Sequence, residues 1–259
     1  MDGNVVTGCI VFGTFMSFVA YQEKDSQWEW WQAAVFSCII LAGLEGLNAS
    51  LPIVFGSFPK IPVRGKHLDE FEFRDKLFIC FNKISAVPFM YHLTAICLLS
   101  PAIKVEAKDA TYTNTVGAFV ALFVVYDFFY SLFHRFLHLR SVYSLVHKHH
   151  HRQHAPTRGN SDAVNVHPFE FVMGEYNHLL AVYLVSPHMY AALAFITVGG
   201  VLASLNHTRA NVVLPGAYDV KAHDLHHRIP QSNYGQYIMM WDHVMGSFRD
   251  YTKTVDARK

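Results

Sequence analysis

Long apolar runs separated by short polar loops dominate the first half of the chain. Val5 to Tyr21 is one such run, and the preceding Met1 to Asn4 carries no Lys or Arg, which favours a retained helix over a cleaved leader. Ala33 to Phe58, Leu77 to Ser100 and Thr115 to Phe133 follow, with 26, 24 and 19 residues against the roughly 20 that cross a bilayer. The pattern predicts four membrane-spanning helices. Glu45, Asn48 and Pro52 interrupt the second, and Asn82 and Lys83 the third, so both are expected to bend or to pack against neighbouring helices there. A last run, Leu179 to Leu205, is broken by Ser186-Pro187-His188 and has histidine-rich sequence on both sides. A single crossing would divide those histidines between two sides of a membrane, so a re-entrant helical hairpin broken near Pro187 is expected. The fold class is all-α: a polytopic membrane protein with about four transmembrane helices, the hairpin, and a cytoplasmic, His-rich helical cap. Residues 1–114 are read as N-terminal transmembrane helices, and 115–259 as a second region that holds the hairpin and the cap.

Basic residues in the loops set the orientation. Gln22 to Gln32 has one, Pro59 to Lys76 has five, and Pro101 to Asn114 has two. The excess of Lys and Arg on cytoplasmic loops puts the five-charge loop in the cytoplasm. Four spans threaded through that choice bring the N-terminus and the end of the fourth span to the same side. The polar tail from Asn206 to Lys259, with seven Lys or Arg, fits that side too. Over the whole chain, 21 Lys and Arg against 20 Asp and Glu give a net charge of +1, which removes the electrostatic case for a nucleic-acid partner. A 52% hydrophobic, 16% charged composition excludes disorder. Cys9, Cys38, Cys80 and Cys97 form no CxxC pair and read as buried or lipid-facing thiols.

Histidine changes the picture, because fifteen of the 17 fall between His134 and His243. His134 and His138 form HxxxH, two rings one turn apart as an apolar helix ends. The run His147-Lys148-His149-His150-His151 contains HxxHH, which on a helix puts His147, His150 and His151 on one face; the additional His149 leaves HxHH as a second register. The run His223-Asp224-Leu225-His226-His227 repeats HxxHH, and His207 stands alone after the hairpin. Those boxes offer nine rings: His134, His138, His147, His150, His151, His207, His223, His226 and His227. Nine exceeds the roughly four to six ligands of one transition-metal ion, so two ions are expected, dividing the rings four and five. All-nitrogen donors suit iron, zinc, copper or nickel and not calcium or magnesium. Asp127, two turns before His134 in an apolar run, is expected to stand behind the ligands and fix ring orientation, as are Asp224 and Asp242. Asn165 and Glu170 are weaker candidates for that role. His154, His167, His178 and His243 read as hydrogen-bonded support, and His188 as part of the hairpin bend.

The ordered set HxxxH, HxxHH, lone His and HDLHH resembles the fatty acid hydroxylase and sterol desaturase superfamily of integral-membrane di-iron enzymes, over roughly Phe119 to Tyr251. His167-Pro168-Phe169-Glu170, Asn233-Tyr234-Gly235 and the segment from Trp241 to Phe248 look like its sterol methyl oxidase-like branch. Asn206-His207-Thr208-Arg209 departs from the His-Ser-Gly-Tyr run found there. The resemblance implies that 115–259 is a catalytic region holding two iron ions, with zinc an alternative occupant in purified material. It implies O2-dependent hydroxylation or desaturation of a sterol, sphingoid or fatty acyl lipid, with electrons from NAD(P)H. The chain has no His-Pro-Gly-Gly haem pattern and no GxGxxG, so the electron donor is expected to be a partner such as cytochrome b5 and its reductase. By the same analogy the membrane is that of the endoplasmic reticulum, with the boxes cytoplasmic. Two other readings compete: a non-catalytic metal-binding membrane protein of the same fold, and a membrane metal transporter. The transporter is disfavoured because its ligands belong at mid-bilayer, whereas these follow the spans.

Overall fold

The computed structural model describes residues 28–255; the expected first span, Val5 to Tyr21, lies outside them. Six longer helices carry the described chain: α1 (Trp30–Val54), α2 (Phe73–Leu99), α3 (Ala118–Leu137), α4 (Pro168–Val185), α5 (Met189–Leu205) and α6 (Val220–Arg228). A π-helical turn, Thr113–Gly117, leads into α3. A two-residue antiparallel pair, β1 (Val213–Leu214) with β2 (Tyr218–Asp219), sits just before α6 in an otherwise helical chain. Among the described residues two helical stretches, Trp30–Val54 and Thr113–Leu137 of 25 residues each, are long and apolar enough to cross a membrane.

The helix ends differ from the apolar runs for local reasons. Helix α2 starts at Phe73, ahead of its apolar run, because the Asp75 carboxylate reaches back to the Glu72 backbone N–H at 2.8 Å. Helix α4 starts at Pro168, a residue pre-set for the first helical position, well before the apolar run that begins at Leu179. Glu170, Glu175, Asn177 and His178 hide its first turns from a hydropathy reading. The break near Pro187 is present: α4 stops at Val185, Ser186 takes a left-handed φ of 47°, and α5 begins at Met189. The His188 N–H donates to the Asn114 carbonyl at 2.7 Å, which fixes that bend.

The described chain divides into two compact units. One comprises residues 28–46, 80–126 and 168–198. Its core includes Ala33, Ala95, Leu98 and Leu99, with Trp28, Phe36, Tyr91, Val105 and Met189 packed around them. The two charges that interrupt its apolar runs meet each other, Lys83 Nζ lying 3.0 Å from Glu45 Oε2. Pairing with each other is a common way for charges to be carried in apolar helices.

The other unit comprises residues 47–79, 127–167 and 199–255. Its apolar core is built on Leu51, Ile61, Leu205, Tyr218, Val220, Leu225 and Tyr251. Val220 and Leu225 turn one side of α6 into this core, which leaves the histidines of the same helix to another side. The Asp219 side chain caps α6, accepting from the Lys221 N–H at 2.8 Å. The basic loop after α1 is bonded into the same unit. The Ile61 N–H donates to the Arg209 carbonyl at 2.8 Å, the Asn211 N–H to the Pro59 carbonyl at 2.8 Å, and the His154 N–H to the Lys66 carbonyl at 2.7 Å.

Candidate metal centre

All nine box histidines lie in the second unit and converge. His134, His138, His147, His151 and His226 form one group, and His150, His207, His223 and His227 another, with one ring nitrogen from each residue of a group within 4.8 Å of the others. The groups adjoin, since the ring centroids of His151 and His227 are 5.0 Å apart.

How the boxes feed the groups corrects the expectation of shared faces. His147–Arg152 is a 3₁₀ segment, not the α-helix that the spacing assumed, and its three box rings do not share one group. His147 and His151 enter the five-ring group while His150 enters the four-ring group. Helix α6 does the reverse: His223 and His227, one turn apart, join the four-ring group and His226 joins the five-ring group. His134 and His138 both serve the five-ring group, one in the last turn of α3 and one just beyond it, and His207 follows α5. His149 belongs to neither group; its Nε2 lies 2.9 Å from Asn165 Oδ1.

Ring tautomers follow from the backbone. His134 Nδ1 lies 2.9 Å from the Tyr234 carbonyl and His226 Nδ1 lies 2.7 Å from the Ser232 carbonyl. His207 Nδ1 is 2.9 Å from the Ala203 carbonyl and His227 Nδ1 is 3.1 Å from the Gln153 carbonyl. A carbonyl only accepts, so these rings carry their proton on Nδ1 and turn a lone pair on Nε2 inward. Inside, Nε2 meets Nε2: His134 to His147 and His151 to His147 at 3.0 Å, His226 to His151 at 3.1 Å, His223 to His207 at 3.2 Å and His227 to His223 at 3.1 Å. His138 Nε2 is buried without a hydrogen-bond partner. Neutral rings have too few protons to satisfy such a cluster, whereas a metal cation accepts every lone pair at once. The residues therefore fit a transition metal in each group.

Burial keeps these rings neutral. It holds His147, His150, His151, His223, His226 and His227 well below the ordinary imidazole value of 6.5, with mutual repulsion among neighbouring rings adding to it. A ring neutral when folded takes up a proton on unfolding below 6.5. Stability therefore rises with pH there and falls as pH drops, by about 1.4 kcal/mol per pH unit for each such ring. Melting of the purified protein between pH 6.5 and 5 is expected to show a steady drop in Tm, with metal released over the same interval. A flat profile would contradict buried neutral rings.

Two of the three carboxylates, Asp127 and Asp242, hold the cluster at one remove. Asp127 accepts from the backbone N–H groups of Gln236 at 3.0 Å, Tyr237 at 3.0 Å and Ile238. Asp242 accepts from Tyr234 N–H at 2.7 Å, Gly235 N–H at 2.8 Å and the Ser247 hydroxyl at 2.6 Å. Together they grip the turn whose Tyr234 carbonyl orients His134. Asp224, inside the last box, faces away from the rings and pairs with Arg209 and, at 2.9 Å, with Arg228. Arg209 also donates through Nε to the Ile61 carbonyl at 3.1 Å, tying α6 to the basic loop. Gly235 is required in the gripped turn, because a Cβ there would lie 2.7 Å from the Ile238 carbonyl oxygen and 3.0 Å from Asp242 Oδ2. Gly235→Ala is expected to lower stability by about 1–3 kcal/mol and to weaken metal retention, read by thermal melting and metal analysis. Unchanged melting would mean that the turn yields without cost.

Sequence reasoning did not find the carbonyls of Tyr234, Ser232, Ala203 and Gln153, or Arg209. Every residue offers the same carbonyl, so spacing carries no sign of which ones face a ring.

Residues 119–247, about half of the chain, match the fatty acid hydroxylase family. The Delta(7)-sterol 5(6)-desaturase of Eremothecium gossypii is 32% identical over 66% of this chain and 48% of its own length. Lathosterol oxidase of Homo sapiens is 30% identical over 48% of this chain and 42% of its own, and methylsterol monooxygenase 1 of Rattus norvegicus 25% over 52% and 48%. The chain thus spans about half the length of the curated relatives it matches. No solved structure matches. The family match opens at the second residue of α3 and runs past Asp242, so it takes in every ring of both groups together with the carboxylates behind them, and the chain belongs to the fatty acid hydroxylase and sterol desaturase superfamily.

Proposed function

We propose that the protein is a membrane-bound oxidoreductase that uses O2 to hydroxylate or desaturate a lipid at two iron ions held by the nine box histidines. One observation carries this reading: in both groups, inward-facing ring nitrogens meet at 3.0–3.2 Å with too few protons between them. Bound iron would supply the oxygen and one-electron chemistry that an unactivated C–H bond demands and that no side chain provides. The chain's own residues hold and tune the site. Nδ1–H bonds to backbone carbonyls orient His134, His207, His226 and His227. Neutral imidazoles leave the positive charge of both cations uncompensated, and burial of the rings keeps bulk water from competing for them. The relatives' names support a lipid substrate, with a sterol the first choice among sterol, sphingoid and fatty acyl lipids.

Region 115–259 is the catalytic part in this reading, and four spans with a re-entrant hairpin at Pro187 carry it in the membrane. Its side follows from the five-charge loop, whose Pro59, Ile61 and Lys66 bond to Asn211, Arg209 and His154 beside the boxes. A loop so rich in Lys and Arg belongs in the cytoplasm, and the boxes go with it. The endoplasmic reticulum and an electron donor of the cytochrome b5 type, reduced by NAD(P)H through its reductase, complete the proposal.

The test is expression in cells followed by metal analysis of the purified protein and lipid analysis with and without O2. Two irons per chain, with a lipid that gains an oxygen atom or loses a hydrogen pair only under O2, is the expected result. Two ions with no lipid change would favour a non-catalytic metal-binding protein, and a chain that takes up no transition metal would end the reading.

A further inference from the structure

Box two lies on a segment that does not fix its own register. A 3₁₀ run is held by poorer hydrogen bonds than an α-helix, and no side chain caps the start of His147–Arg152. Three of its six residues must nevertheless point into two different metal groups. A fourth, His149, has an imidazole equally suited to a metal and points elsewhere.

What holds it elsewhere is Asp75, a fully buried carboxylate at the third position of α2. Oδ2 accepts from the Glu72 N–H at 2.8 Å and from Arg152 Nη2 at 3.2 Å. Oδ1 lies 3.0 Å from His149 Nε2 and accepts from Asn165 Nδ2 at 3.0 Å. The second neighbour of His149 Nε2 is Asn165 Oδ1 at 2.9 Å, so both groups facing that nitrogen are acceptors. Nε2 therefore carries the ring's proton and has no lone pair for a metal. The Phe78 ring packs against His149 with centroids 4.7 Å apart. One carboxylate thus holds the segment at residues 149 and 152, on either side of His150 and His151.

We propose that Asp75 is a positioning residue for the metal centre. Through His149 and Arg152 it sets the register of box two, sending His147 and His151 to one group and His150 to the other, and keeps His149 out of both. The proposal rests on the metal-binding reading given above and adds a residue remote from the boxes in sequence.

Cobalt(II) binding by the purified full chain in detergent tests it, through stoichiometry, affinity by competition with a chelator, and the visible absorption bands that report ligand arrangement. Asp75→Ala and His149→Leu are each expected to weaken cobalt binding roughly 10- to 100-fold and to shift those bands. The double variant is expected to lose less than the two single losses combined, because both act along one path. His149→Gln, which returns an N–H donor toward Asp75, is expected to restore the wild-type bands. Wild-type affinity and bands in Asp75→Ala would overturn the proposal, as would His149→Gln no better than His149→Leu. If Asp75→Ala fails to accumulate, the His149 pair decides alone, since Asp75 then keeps Glu72, Arg152 and Asn165. Wild-type protein that binds no cobalt would overturn the metal reading and this proposal together. Wild-type protein that binds cobalt with a silent Asp75→Ala would overturn this proposal alone.

Discussion

His150→Ala is expected to leave the protein inserted in the membrane, with one metal ion per chain against the two proposed for the parent, and to cut lipid oxidation by more than about a hundredfold. His150 is the box-two ring of the four-ring group, and its loss leaves His207, His223 and His227 to hold an ion. Loss of a partner that merely orients a ligand already costs roughly 10- to 100-fold, so loss of a ligand should exceed that. His226→Ala is the mirror experiment. It removes the α6 ring from the five-ring group but leaves His134, His138, His147 and His151 in place, a number that still suffices for a transition metal. Metal should therefore be retained better in His226→Ala than in His150→Ala, while activity falls in both. Metal analysis and comparative lipid analysis read the two effects separately. Full metal content with full turnover in His150→Ala would remove it from the ligand set.

The second large effect is on stability, at Asp127. This carboxylate is fully buried and accepts from three consecutive backbone N–H groups, Gln236 to Ile238. Asp127→Ala strands those donors, each at about 1–3 kcal/mol, and a loss of about 3–5 kcal/mol in all is expected. Asp127→Asn preserves the shape but turns an N–H₂ toward donors, so it should fall between alanine and the parent. Because the neighbouring Tyr234 carbonyl orients His134, lost metal should accompany lost stability. Thermal melting in detergent, with metal content measured at each step, checks both. A stable Asp127→Ala that keeps its metal would show that the turn from Tyr234 to Ile238 is held by other means.

The rings themselves were legible in the sequence, and so was the site of the helix break at Pro187. Imidazole is rare, and its spacing in HxxxH and HxxHH survives any detail of folding. Which ring serves which group was not legible: in the 3₁₀ run His147–Arg152 and in the α-helix α6 alike the rings at i and i+4 go to one group and the ring at i+3 to the other, and the spacing is the same whichever group takes the pair. Helix α4 extends well upstream of its apolar run, since Glu175, Asn177 and His178 dilute the hydropathy of its first half. Asp224 illustrates a different limit. Its place inside a box suggested contact with a ring, yet it is spent on Arg209 and Arg228, partners that only the folded chain brings to it. Asp75 gave no signal because it lies in the basic loop's sequence neighbourhood, some seventy residues before the histidine it holds.

In the crossed allotment of rings, box two and α6 each contribute to both groups, so the two halves of the centre share both segments. A cation entering one half would draw on His147–Arg152 and α6, which the other half also uses, so loading of the first is expected to ease loading of the second. By the same coupling, a foreign ion of the wrong radius in either half would distort its neighbour.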